Sequence, residues 1–216
     1  MSTHVANKGM ISYPDDPEFG TATPGKLAMW LFLVTDAMSF SGFLIGYGIL
    51  RAGALDWPDP VKALGGVGLS GFMTFWLICS SVSMVFSIDA CKKGDRKKML
   101  KWLGLTIVGG FGFLAMQVYE YMHLFHDMGM SFASYNPPAA MGMASTNDLF
   151  SSTFFAITGF HGLHVLTGTL YLCAMYVKGA KGEFDNGNYN LIEICGLFWH
   201  FVDLVWILVF TFVYLL

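Results

Sequence analysis

Seven side chains in this sequence could move a proton or help to bind a cation: Asp36, Glu120, His161, His164, Glu193, His200 and Asp203. All of them stand in stretches that are otherwise apolar. Near the C-terminus, Leu197-Phe198-Trp199-His200-Phe201-Val202-Asp203-Leu204-Val205-Trp206 places a histidine and an aspartate three residues apart, which on a helix is the same face. Glu193, Gly196, His200 and Asp203, at offsets 0, 3, 7 and 10, extend that face into one polar stripe. His161 and His164 share a face in the same way, as do Gln117 and Glu120. Buried carboxylates and histidines also mark ion paths. Histidines are also common metal and haem ligands, but two on one helix make at best half a site. Hydrogen bonding of His161 and His164 to carboxylates on other helices needs no further parts. His123, His126 and Asp127 follow Glu120, and this group could bind a metal or serve as an interfacial polar cap anchored by Tyr119 and Tyr121.

The elements that position these groups read as membrane helices. Of 216 residues, 55% are hydrophobic and 12% charged, against about 25% charged in ordinary soluble domains. The charges are clustered. Ala28 to Leu50 carries only Asp36, while Ala63 to Ile88, Trp102 to Tyr119 and Leu149 to Val177 carry none. The fifth run, Leu191 to Leu216, holds the polar stripe. About 20 apolar residues cross the hydrocarbon core. The fold class is therefore an all-α polytopic membrane bundle of five transmembrane helices, expected near 27–50, 64–88, 100–122, 150–177 and 191–215. Residues 1–25 form a polar tail and 26–216 a single domain. A soluble helical protein would lack sequence for its polar exterior. At membrane depth an ionisable group costs about 2.5–3.5 kcal/mol on insertion scales, so the seven residues must face protein or trapped water and are expected to form one internal polar network. Asp36 lies about ten residues into helix 1, ~15 Å along its axis, too deep for a short carboxylate to snorkel. Gly42 and Gly46 form a small-xxx-small pair. The serines and threonine of helix 2 (Ser70, Thr74, Ser80, Ser81, Ser83, Ser87) read as packing groups.

Ten of the twelve basic residues fall on one alternate side of these helices, and only Arg51 and Lys62 on the other. The positive-inside rule then puts the N-terminus in the cytoplasm and the C-terminus on the periplasmic, outer side. The densest cluster lies in the loop from Cys91 to Lys101. Its residues Lys92, Lys93, Arg96, Lys97 and Lys98 are candidates for anionic lipid headgroups, at about 1 kcal/mol each. Cys79, Cys91, Cys173 and Cys195 are dispersed and suggest neither a disulfide framework nor a thiolate metal site. The first 25 residues lack the apolar core of a signal peptide, so helix 1 is expected to direct insertion.

Trp199-His200-Phe201-Val202-Asp203-Leu204-Val205-Trp206, with Glu193 seven residues before His200, resembles the last helix of subunit III of haem-copper respiratory oxidases. Ser152-Thr153-Phe154-Phe155 with Thr158-Gly159-Phe160-His161-Gly162-Leu163-His164-Val165 resembles the penultimate helix. Lys26-Leu27-Ala28-Met29-Trp30-Leu31-Phe32-Leu33 and Gln117-Val118-Tyr119-Glu120-Tyr121 match two further signatures, in order from Lys26 to Leu216. The resemblance is to the shorter five-helix bacterial form. It implies a subunit of a cytochrome c oxidase in the bacterial cytoplasmic (inner) membrane, with subunit I as principal partner beside subunits II and IV. It also implies bound phospholipid, a supporting role in proton uptake, and haem and copper carried by the partner subunits. Two departures stand out. Asp36 replaces the family's carbodiimide-reactive glutamate, as it also does in quinol oxidases and in nitric oxide reductase accessory proteins. Tyr189 stands where many members have a histidine. The residues agree with the implied absence of a redox centre: only His161, His164 and His200 lie in the membrane, and paired thiolates for a dinuclear copper centre are missing. His200 and Asp203 then read as a structural lock with partners on the helices expected near 27–50, 100–122 and 150–177. A stand-alone transporter is the rival reading, against which no inverted repeat is apparent.

Overall fold

The computed structural model describes residues 23–136, 147–185 and 189–216. Residues 1–22 of the expected tail, including His4 and Lys8, and the Pro137-Pro138 part of the third loop lie outside the described residues. Helix α1 spans Pro24–Gly53, with Pro24 at its first turn and the Thr23 hydroxyl accepting from the Lys26 amide. A single turn, α2, covers Pro60–Ala63. Helices α3 (Gly68–Lys92), α4 (Arg96–His126), α5 (Asp148–Ala180) and α6 (Asn190–Val209) follow, and the chain ends in a π-helical turn, Phe210–Leu215. Five of these are long and apolar enough to cross a membrane, and no strand is formed among the described residues.

Two sequence expectations need correction. Helices α1, α4 and α5 overrun both predicted ends, α4 by four residues at each, because hydropathy marks only the lipid-crossing part, whereas α3 is displaced, starting and ending four residues later than expected. Capping sets the true ends: Asp95 accepts from the Lys98 amide and Asn147 from that of Leu149. Most of the basic loop is therefore helix, and only Lys93, Gly94 and Asp95 connect α3 to α4, with Gly94 at φ 73°. His123 and His126, expected in a loop, form the last turn of α4.

Helices α3, α4, α5 and α6 close into a four-membered ring, α3 packing against both α4 and α6, and α1 lies outside across α5 and α6. The stripe that α1 buries is narrow, Leu33, Asp36, Phe40 and Tyr47, which is why one carboxylate inside it matters. Indoles of α6 tie the ring to hydroxyls of α3: Trp199 donates to Ser80 at 3.3 Å and Trp206 to Thr74 at 3.0 Å. The close approach of α3 to α4 is set by Gly109, where an added Cβ would sit 2.4 Å from the Ser80 Cβ.

Candidate functional site

The polar stripe of α6 faces α3. At its upper end Glu193 lies between two ammonium groups, Lys26 of α1 at 2.5 Å and Lys92 of α3 at 2.6 Å, and Lys92 also stands 5.4 Å over the Tyr189 ring. The neighbouring Thr23 hydroxyl donates to Asn190 at 2.9 Å, so α1 is pinned to α6 at this end. Gly196 meets Met84 and Ile88. One turn further, His200 Nδ1 is hydrogen-bonded to the Ser81 hydroxyl at 2.6 Å, and Asp203 is buried with Oδ1 unpartnered among the described residues. The partner of His200 is thus a serine of α3 that sequence reading assigned to packing alone, and not a group on α1, α4 or α5. Helical periodicity tells which side chains share a face but not which helix covers it. Ser81→Ala is expected to cost about 1–2 kcal/mol, since His200 loses a buried partner. A lowered unfolding midpoint in detergent, restored by Ser81→Thr, is the measurement.

Asp36 and His164 meet between α1 and α5, with His164 Nε2 3.2 Å from Asp36 Oδ1. His164 Nδ1 lies 2.8 Å from the Phe160 carbonyl, which can only accept, so Nδ1 carries a proton. A second proton must then lie between Nε2 and Oδ1. The unit is either imidazolium with carboxylate or imidazole with carboxylic acid, and both forms hold two protons and carry no net charge. That neutrality is what lets a carboxylate rest among apolar side chains. His161, one turn earlier, does not join the network expected of it. It is fully buried, its ring 4.9 Å from Trp206 and 5.7 Å from Phe113, and neither nitrogen has a hydrogen-bond partner among the described residues. The Phe113 and His161 rings are nearly perpendicular, at 80°.

At the opposite end of the ring, Tyr214 donates to Glu120 Oε2 at 2.8 Å. Gln117 donates to the Thr158 carbonyl at 2.8 Å, and Tyr121 donates to the Thr158 hydroxyl at 2.7 Å, because that hydroxyl's proton goes to Phe154. His123 pairs with Asp127 at 2.7 Å and His126 is exposed. Glu120 has therefore turned inward, and among the described residues no three His, Cys, Asp or Glu side chains gather as a metal site. Tyr214 is the functional partner that sequence reading missed. Its rotation depends on the π-helical turn, which no periodic pattern announces. The seven candidate residues thus occupy four separate places rather than one network.

Most of the basic candidates are held by protein groups. Lys92 serves Glu193, Lys93 pairs with Asp89 at 2.6 Å and Lys98 with Asp95 at 2.9 Å. Arg96 reaches Asp185 at 3.3 Å and the Ala180 carbonyl. Lys97 is exposed. The Lys98 ammonium holds the Asp95 carboxyl below the usual carboxylate range. Beside α1 run two apolar grooves. One of about 490 Å³ lies against α5 and includes Gly42, Gly46 and Ser152. The other, about 340 Å³, lies against α6 with His200 in its wall.

Comparison with known proteins agrees with this architecture. The profile of the family described as Cytochrome c oxidase subunit III matches residues 20–216. The cytochrome c oxidase subunit 3 of Alkalihalophilus pseudofirmus is 30% identical over 213 residues, covering 97% of this chain and 95% of the relative. That of Synechocystis is 34% identical over 209 residues, covering 96% and 79%. The cytochrome bo(3) ubiquinol oxidase subunit 3 of Pseudomonas putida is 33% identical over 192 residues, covering 88% and 84%.

Proposed function

The chain belongs to the cytochrome c oxidase subunit III family of the haem-copper oxidases, and from that premise we propose that it is the non-redox subunit III of a proton-pumping cytochrome c oxidase that reduces oxygen to water. Membership makes it an integral part of a multi-subunit oxidoreductase. The finer reading is that it packs on subunit I, beside subunits II and IV, in a bacterial inner membrane with its N-terminus in the cytoplasm. The clustering of basic residues at one end of the bundle supports that orientation. Haem and copper belong to the partner subunits in this reading. The donors present here do not fit either group: His164 is bound to Asp36 and Phe160, His200 to Ser81, and His161 is walled by aromatic rings. They lie apart and face different neighbours. The two grooves beside α1 suit lipid acyl chains.

The observation that carries the functional part is the two-proton Asp36–His164 unit on the exposed outer helix. It can shift a proton from nitrogen to oxygen without gaining charge, a property suited to sustaining proton supply near subunit I. Asp36→Asn keeps a donor toward His164 Nε2 but removes the exchangeable acid, and Asp36→Ala removes both. In the purified complex, initial oxygen consumption is expected to persist in both variants while activity decays severalfold faster over many turnovers. Unchanged rates, unchanged pumping and an unchanged lifetime would overturn this role. The alternative of a quinol-oxidising complex rests on the 33% identity to the bo(3) ubiquinol oxidase subunit. The visible spectrum of the complex, with the donor it oxidises, separates the two. Growth with oxygen or nitrate as acceptor separates both from a nitric oxide reductase accessory protein.

A further inference from the structure

The turn joining α3 to α4 carries a recess of about 270 Å³ that belongs to none of the sites above. Its mouth holds two acids and two bases, Asp89, Lys93, Asp95 and Lys98, and its inner wall is the Phe86–Trp102 ring pair, with centroids 4.9 Å apart. Lys93 and Phe86 are seven residues apart, roughly 10 Å along α3. The recess thus passes from charged to aromatic over the depth at which a lipid passes from headgroup to acyl chain. The charges pair with each other, Lys93 with Asp89 and Lys98 with Asp95, but the side chains are 71% and 54%, and 72% and 37%, exposed. Ion pairs this exposed hold one another weakly and exchange partners readily.

From this geometry we infer that the α3–α4 recess binds a zwitterionic phospholipid whose headgroup carries a primary ammonium, as phosphatidylethanolamine does. A phosphate alone would bring a negative charge against two carboxylates, and an ammonium alone would meet two lysines. A ligand bearing one charge of each sign satisfies both pairs, with phosphate between Lys93 and Lys98 and ammonium toward Asp89 and Asp95. A primary ammonium donates hydrogen bonds to those carboxylates, which a quaternary ammonium cannot. The glycerol and first acyl carbons then lie on Phe86 and Trp102. This sharpens the lipid-holding role proposed above, on which it rests, and replaces the anionic headgroup expected from the basic cluster alone.

The test uses a phosphatidylethanolamine with a diazirine close to its glycerol, photolysed in the purified oxidase complex, with labelled peptides mapped. Labelling between residues 86 and 102 is expected, competed by unlabelled phosphatidylethanolamine about tenfold better than by phosphatidylcholine or phosphatidylglycerol, the factor set by one charge-assisted hydrogen bond. Lys93→Gln with Lys98→Gln should lower this labelling about as much. Asp89→Asn with Asp95→Asn, which keeps an α4 cap, should turn the preference toward phosphatidylglycerol. Equal competition by phosphatidylglycerol in the unaltered protein, or by water-soluble glycerophosphoethanolamine, would overturn the assignment. Labelling confined to the grooves beside α1 would overturn it too, while leaving the broader lipid-holding role intact. No labelling on any helix would sink both.

Discussion

Gly110→Val is expected to be the most damaging single change in the helix ring. An added Cβ at Gly110 would lie 2.3 Å from Thr169 Oγ1 and 2.8 Å from Trp199 Cη2. Neither neighbour can give way. Thr169 is fully buried on α5, and the Trp199 indole is 1% exposed and hydrogen-bonded to Ser80. Helix α4 must therefore retreat from α5 and α6 together, opening voids along the rest of their contact. Overpacking a filled core by a methylene or two costs typically 1–3 kcal/mol, and valine adds three heavy atoms, so a loss of about 3 kcal/mol or more is expected. Gly42→Val is the matched control. No atom lies within 4 Å of a Cβ there, and a surface change of that kind stays within about 0.5 kcal/mol. Titration of both variants with denaturing detergent measures the difference. Equal midpoints would mean that α4 does not pack as described.

Tyr214→Phe is expected to have the next largest effect, because it removes one hydroxyl and leaves the buried Glu120 carboxyl without its donor. Stranding a buried group of this kind costs about 1–3 kcal/mol, more when it is charged. Glu120→Leu strands the hydroxyl in turn and should cost a similar amount. The double variant, Glu120→Leu with Tyr214→Phe, removes both ends of the bond and should recover most of the loss. The two changes are then non-additive by about 1–3 kcal/mol. Unfolding midpoints of the four proteins complete the cycle, and additive losses would show that the contact between α4 and the C-terminal turn contributes nothing.

The contrast between these positions shows what could be read from the chain before its fold was seen. The five helices were legible because lipid imposes length and apolarity on any segment that crosses it, so runs such as Leu149 to Val177 have few alternatives. The shared face of Glu193, His200 and Asp203 was legible too, since helical spacing alone produces it. The motifs around His161 and His200 were specific enough to indicate the family. Partners were another matter. His200 was expected to reach α1, α4 or α5 and meets Ser81 of α3. His161 looked equivalent to His164, yet one is enclosed by Trp206 and Phe113 while the other holds Asp36. Three residues on a helix separate two side chains by about 60°, enough to send one into the ring and the other toward α1.

The sequence by itself therefore determined the elements, their apolar faces and the membership of the chain, because those follow from local periodicity and from the cost of polar groups in lipid. Only the tertiary structure decided which helix covers each polar stripe. It alone placed Asp36 against His164, turned Tyr214 onto Glu120, and left four places where one network was expected. The reason is physical. A face can be read from spacing along one chain segment, but the neighbour that fills it is chosen by how all the helices pack at once, through contacts between residues as far apart as Asp36 and His164.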